Sequence, residues 1–387
     1  MPVSEAWQQR LADARAHRQQ TERWRIRQVA KSNTLDFAGN DYLGLAQDPR
    51  VSEAQAAGAH RYGAGAGASH LVSGHLEIHD ALEEALARWT GRERALLFST
   101  GYMANLGVLQ ALADRHTAIF QDRLNHASLI DGAALSGARS RRFHHRDAID
   151  LESLLARSEC AHKLVVSDGV FSMDGDIADI ATLVEVSRQH SAWLMIDDAH
   201  GVGVLGDNGS GCVGSAWSST DVPILVGTLG KALGTAGAFV AGNAELIDHL
   251  IQFSRSYIYT TAQPPAIAAA TLKALEIVQS EQGLRAQLNT NIAYFRHEAL
   301  HLGLPLSDST TPIQPLILGD EARTLSWALQ LQQKGIQVGA IRPPTVPKGE
   351  SRLRVTLSAR HQHDDIDQLL AALHHCQHQE ALCSPCA

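Results

Sequence analysis

The sequence predicts an α/β protein: a large domain on a mostly parallel sheet flanked by helices, followed by a smaller α+β C-terminal domain. Three observations carry that expectation. From about residue 47 to 283, short apolar runs alternate with stretches of helical period, the pattern of strand–helix–strand units that build parallel sheets. Beyond 284, helical stretches mix with strand-like ones. The chain has 387 residues, 44% hydrophobic and 19% charged, which suits about two or three domains with about three quarters of the unfolded surface buried.

Residues 1–46 open with a charged helical stretch over 7–23 and end in the turn-rich string Asn40-Asp41-Tyr42-Leu43-Gly44. In the region 47–283 the strand runs are 95–98, 117–120, 164–167, 192–196, 224–227 and 238–241. A helix over 76–89 puts Leu76, Leu82, Leu86 and Trp89 on one face, and Gly91 stops it. A helix after Ser99-Thr100 is expected to turn Tyr102, Leu106 and Leu109 inward. The region 284–387 offers helices over 284–302 and 322–335 and strands over 336–341 and 353–357. From about 374 the tail is expected to be disordered, since a terminus not tied to the fold frays.

Charge and composition narrow the function. The net charge of −8 lacks the basic footprint of a nucleic-acid binder. No apolar run approaches the roughly 18 residues of a membrane span, and Met1-Pro2-Val3-Ser4-Glu5 does not read as a basic, apolar leader. Five cysteines, unevenly spaced, argue against a disulfide framework. A cytoplasmic location is the expectation. Twenty histidines are the unusual count.

Several motifs fail on mechanism. Gly201-Val202-Gly203-Val204-Leu205-Gly206 has dinucleotide spacing, but Asp207-Asn208-Gly209-Ser210-Gly211 follows, a loop where a pyrophosphate site needs a helix. An NAD-binding oxidoreductase is therefore a remote alternative. Gly230-Lys231 lacks the earlier glycine of a phosphate loop, since position 225 is leucine, and Ala232 replaces the metal-binding hydroxyl. Asp197 and Asp198 are neighbours on a strand and face opposite ways. Cys383 and Cys386 near His374, His375 and His378 lack a second ligand pair on a rigid element. No metal is expected.

Six lysines are present, and only Lys231 directly follows an apolar run, between Gly230 and Gly234. A lysine there suits nucleophilic Schiff-base chemistry. Met195-Ile196-Asp197-Asp198-Ala199-His200 starts on a buried strand and ends at its carboxyl edge. A carboxylate so placed can hold a protonated pyridine nitrogen and make pyridoxal phosphate an electron sink; a strand Asp and His satisfied by backbone are the plain alternative. Ser99-Thr100-Gly101-Tyr102 opens a helix whose free N–H groups suit a phosphate. Thr228 adds a hydroxyl, His126 follows the run 117–120 either as a stacking imidazole or as a plain exposed loop residue, and Arg354 offers a fork for a carboxylate.

The strings Asn40-Asp41-Tyr42-Leu43-Gly44-Leu45, Gly169-Val170-Phe171-Ser172-Met173-Asp174-Gly175-Asp176, Asp197-Asp198-Ala199-His200-Gly201 and Gly227-Thr228-Leu229-Gly230-Lys231-Ala232-Leu233-Gly234 resemble the α-oxoamine synthases to about residue 373. The resemblance implies fold type I, the aspartate aminotransferase-like architecture, with pyridoxal 5′-phosphate as cofactor. Ala340-Ile341-Arg342-Pro343-Pro344-Thr345-Val346-Pro347, Ser351-Arg352-Leu353-Arg354 and Tyr259-Thr260-Thr261-Ala262-Gln263-Pro264-Pro265 are most similar to the branch that uses L-alanine and a pimeloyl thioester, carried by CoA or a carrier protein. Relatives of the glycine C-acetyltransferase or 5-aminolevulinate synthase type are the alternative.

By that resemblance Lys231 is the Schiff-base lysine, Asp197 the pyridinium partner, His200 the partner of the ring oxygen and His126 the stacking residue. Gly101, Tyr102, Ser172 and Thr228 would also touch cofactor, and Thr260 and Thr261 would reach its phosphate across a homodimer interface. Arg25, Asn40, His126, Thr345 and Arg354 would meet substrate. Two departures stand out: Asp168 where the family usually has Glu, and Gly67-Ala68-Ser69-His70 in place of a more glycine-rich stretch.

Overall fold

The computed structural model describes residues 4–21, 23–27, 29 and 33–383; Lys31 and Cys386 lie outside the described residues. The chain divides into two compact units, one of residues 1–39, 290–357 and 361–387, the other of residues 40–289 and 358–360. In the first unit the N-terminal residues supply α1 (Glu5–Gln20) and β1 (Leu35–Asp36). The second unit runs α2 (Pro49–Tyr62), α3 (Glu77–Thr90), β2 (Arg94–Phe98), α4 (Gly101–Leu112), β3 (Thr117–Asp122), α5 (Ala127–Ser136), β4 (Arg139–Phe143), α6 (Ala148–Ala156), β5 (His162–Asp168) and α7 (Ile180–Gln189). It continues through β6 (Trp193–Asp197), β7 (Ile224–Thr228), β8 (Ala238–Gly242), α8 (Ala244–Phe253), α9 (Arg255–Ile258) and α10 (Pro265–Ser280).

Seven strands form one sheet in the order β2-β8-β7-β6-β5-β3-β4. Only β8 runs antiparallel to its neighbours β2 and β7. Side chains alternate across the pleat, so consecutive residues feed opposite cores. Ile119, Leu164, Val166, Met195, Ile224 and Val226 pack with Val108 and Leu109 of α4, Leu129 of α5 and Leu250 of α8. Phe120, Val165, Leu194, Ile196 and Leu225 pack on the other face with Leu151 and Leu155 of α6 and Leu183 of α7. Burial on both faces is why these strands read as continuous apolar runs. Edge strand β4 gave no such signal, because Arg139, Ser140, Arg141 and Arg142 are all exposed; charge on an edge guards against pairing with another chain.

After α11 (Gln282–His301) the first unit adds β9 (Ile313–Gly319), α12 (Glu321–Gln333), β10 (Ile336–Gln337), β11 (Gly339–Ile341), β12 (Ser351–Thr356) and α13 (His363–Cys383). Strands β11, β12 and β9 make an antiparallel sheet. Residues 1–46, expected as a segment of their own, are divided: those to 39 join this unit, where β1 pairs parallel with β10, Leu35 opposite Ile336, and 40–46 belong to the other. The tail is also more ordered than expected. Helix α13 continues to Cys383, with Leu373 and Cys376 buried and Glu380 accepting from Trp327 Nε1 at 2.6 Å and from Arg323 Nε at 2.9 Å. Among the described residues no helix is long and apolar enough to cross a membrane.

Candidate active site

The carboxyl ends of the parallel strands meet along one edge of the large sheet, where ligands of such folds bind. Asp168 ends β5, Asp197 ends β6 and Thr228 ends β7. No helix follows β6 directly: residues 199–223 are turns and bends, so the helix that a dinucleotide fingerprint needs is missing.

Lys231 sits in the loop between β7 and β8. Leu229 N donates to Gly237 O and Gly234 N to Lys231 O, each at 2.9 Å, while Thr228 Oγ1 donates to Gly237 O at 3.1 Å. The Lys231 amine lies 2.8 Å from His200 Nε2. On the other side of the same ring, His200 Nδ1 lies 2.5 Å from the Tyr42 hydroxyl, which donates to Asn40 Oδ1 at 3.2 Å. The hydroxyl has one proton, so this network assigns the His200 proton to Nδ1 and leaves Nε2 as acceptor toward Lys231.

A second network grips Asp197, which is 5% exposed. Its Oδ2 accepts from Asn105 Nδ2 at 2.6 Å and its Oδ1 from Ala199 N at 3.1 Å. Asn105 spends its other amide proton on Ser128 Oγ at 2.8 Å, and Ser128 Oγ stands 2.7 Å from His126 Nδ1. Ser128 N also points at that nitrogen, at 3.3 Å. Two donors on Nδ1 place the His126 proton on Nε2. Desolvation holds this imidazole below its ordinary pKa, with the Asp197 charge opposing and the Lys231 charge adding to the shift. His126 N donates to Asp168 Oδ2 at 2.7 Å. Burial, and then the Asp197 charge, push the Asp168 carboxyl well above the ordinary range.

Asp198 turns away from Asp197. Its carboxylate accepts from Cys212 N at 2.7 Å and Cys212 Sγ at 3.0 Å, and burial raises it to about 7.

The structure thus brings His126, Asp197, His200 and Lys231 together with Asn40 and Thr228. Gly101 begins α4 in open space, and Thr100 caps it by accepting from Met103 N at 3.1 Å. Tyr102 does not join the inner face of α4 as expected. It is 42% exposed with its hydroxyl on Asp131; of the other two expected there Leu109 is buried and Leu106 half-buried, alongside buried Ala104, Asn105 and Val108. Ser172 is half-buried after β5, Thr260 half-buried and Thr261 exposed after α9. Arg25, Thr345 and Arg354 belong to the other unit, where Arg25 and Thr345 are exposed and Arg354 is buried with its guanidinium on Thr356 Oγ1 at 3.0 Å. Tyr42, Asn105 and Ser128 carry no role in the sequence reading. The usable signal was Asn105, a residue that disfavours helix interiors placed on the apolar face of one.

The donor set fits pyridoxal phosphate: an amine in a closed loop, a buried carboxylate held by two donors and a capped helix N-terminus. Comparison with known proteins agrees. Residues 32–373 match the family described as aminotransferase class I and II. The chain is 65% identical over 381 residues to the 8-amino-7-oxononanoate synthase of Chromohalobacter salexigens, covering 98% of this chain and 99% of that one. Among solved structures it is similar to a serine palmitoyltransferase of S. paucimobilis with bound PLP-myriocin aldimine (TM-score 0.89, 28% identity, 96% and 98% covered). It is also similar to the 8-amino-7-oxononanoate synthase of Francisella tularensis (TM-score 0.79, 32% identity, 91% and 100% covered).

Proposed function

The chain belongs to the aminotransferase class I and II family, and we propose that it is the pyridoxal-phosphate-dependent acyltransferase that condenses L-alanine with a pimeloyl thioester in biotin biosynthesis. The products are 8-amino-7-oxononanoate, CO2 and the free thiol carrier. The observation that carries the chemistry is the 2.8 Å contact between Lys231 Nζ and His200 Nε2. For the choice of substrates the 65% identity to an 8-amino-7-oxononanoate synthase outweighs the 28% to serine palmitoyltransferase.

When bound, pyridoxal phosphate supplies an electron sink for bonds broken at the alanine Cα. Asp197 would face the ring nitrogen, with Asn105 and Ala199 N holding its carboxylate in place. His200 would meet the ring oxygen, and His126 would stack on the ring. The phosphate falls to Gly101, Tyr102, Ser172 and Thr228, with Thr260 and Thr261 contributing across a homodimer interface. Lys231 Nζ would serve as the base for the Cα proton. His200 Nε2 accepts a hydrogen bond from that nitrogen, and the chain through Tyr42 to Asn40 fixes the ring so that it cannot turn away. His126 presents Nε2–H as a neutral donor. For the substrates the family pattern assigns Asn40, His126, Arg25, Thr345 and Arg354. A soluble cytoplasmic dimer is part of the same proposal.

The test is direct: purified protein with L-alanine and pimeloyl-CoA or a pimeloyl carrier protein, reading thiol release and product mass. Glycine and serine serve as competing amino acids. Product of the expected mass from alanine alone supports the reading; preference for glycine or serine overturns it.

A further inference from the structure

His70, the departure noted in the sequence, lies outside the catalytic network and in a histidine cluster of its own. Helix α3 is preceded by a single π turn, His70–Gly74, an irregularity that recurs at functional sites. His70 is 8% and His79 0% exposed, while His75 is half-buried. One ring nitrogen from each of the three lies within 4.8 Å of the others.

The pairing of these rings is specific. His70 Nδ1 and His75 Nδ1 stand 2.7 Å apart, a distance at which two imidazoles share one proton. His75 Nε2 is 2.8 Å from Asp80 Oδ1 and His79 Nε2 is 2.8 Å from Gln263 O. Metal-ligating histidines usually have this outer arrangement, one nitrogen on the ion and the other N–H on a carboxylate or a backbone carbonyl. Here Nε2 is anchored in two of three rings, and Nδ1 is the inward nitrogen. An ion would displace two bonds, the His70–His75 contact and the one that His79 Nδ1 accepts from Leu76 N at 3.0 Å. His70 is held by stacking on Tyr257, centroids 5.0 Å apart at 13°.

We propose that His70, His75 and His79 form a binding site for a zinc-class divalent transition metal, with Glu83 beside it. Three imidazoles suit zinc, cobalt or nickel. Tetrahedral zinc with bonds of about 2.0–2.1 Å spaces its nitrogens by about 3.3 Å, so the His70–His75 pair needs to part by less than an ångström once the shared proton leaves. Glu83 lies one turn beyond His79 on α3, and its carboxylate is within 4.8 Å of ligand atoms of His75 and Asp80. The ion would join the 70–79 segment to the Gln263 end of the loop that carries Thr260 and Thr261. Its role is to brace that loop, and no step of the acyl transfer passes through it.

The experiment uses holoenzyme freed of adventitious metal by chelator dialysis, titrated with cobalt(II) and then zinc(II). One tight cobalt equivalent per chain is expected, with intense visible bands to the red of the cofactor that zinc abolishes. His75→Gln, at a half-buried position, should weaken that equivalent at least tenfold while keeping cofactor absorbance and turnover. Two exposed histidine pairs on other helices, His297 with His301 and His374 with His378, are the competing sites; replacing all four by alanine should leave the equivalent in place. Failure of wild type to bind an equivalent, its survival in His75→Gln, or its loss in the four-alanine variant would each overturn the proposal.

Discussion

Asn105 Nδ2 stands 2.6 Å from Asp197 Oδ2, so an amide on α4 aims the carboxylate at the end of β6. Because the same amide reaches Ser128, and Ser128 reaches His126, one side chain orients two parts of the site. Asn105→Ala should lower kcat by about 10- to 100-fold, as expected for losing a hydrogen bond to a charged group worth about 1.5–3 kcal/mol. The KM for the thioester should change little. A kcat within twofold of wild type would remove Asn105 from this role.

Tyr42→Phe deletes the hydroxyl 2.5 Å from His200 Nδ1 and leaves the ring in place. The His200 ring then has one anchor fewer, and the pH profile of kcat should shift along with a several-fold loss of rate. An unshifted profile would show that Tyr42 only fills space.

Lys231→Ala should retain the fold by circular dichroism and lose both turnover and the near-visible absorbance of the bound cofactor. Turnover at the wild-type rate would exclude Lys231 as the reacting amine.

His145 bridges Asp122 (3.1 Å) and Asp176 (2.8 Å). Burial opposes its charge, but the two carboxylates outweigh it and push the pKa up to about 9. An unfolded histidine titrates near 6.5. The extra stability is therefore fully present below about pH 6.5 and is lost as pH rises through about 9, by on the order of a few kcal/mol. Melting temperatures of wild type and His145→Gln should converge across that window; a constant gap would refute the assignment.

Gly234 has φ +66°, and a Cβ there would lie 2.2 Å from Ala46 N. Backbone cannot yield as a flexible side chain can. Gly234→Ala should cost more than about 2 kcal/mol, read by denaturant titration, and should weaken cofactor retention because the same turn holds Lys231.

The parts of this protein that were legible in its sequence are those where one residue's neighbours in the chain decide its environment. Ile119, Val165 and Met195 announce doubly covered strands, and Lys231 announces itself by following one. What stayed hidden depends on distant partners. Strand β4 is polar because it is an edge, β1 is two residues long and exists only through β10, and nothing in the string around Asn105 says that Asp197 lies beside it. Tyr102 misled because an aromatic in a first helical turn can project past the core. The cis bond between Pro343 and Pro344 likewise has no signal beyond the dipeptide.

The sheet changes direction once among β5, β6, β7 and β8, and it does so at Lys231. Every parallel connection must send the chain across a face of the sheet and back, whereas β7 returns directly into β8. Closing a short loop forfeits little chain entropy and needs few distant contacts. The reactive amine thus inherits its place from nearby chain geometry. Lengthening the 198–223 connection leaves it in frame, while a single residue added between Leu229 and Gly237 does not.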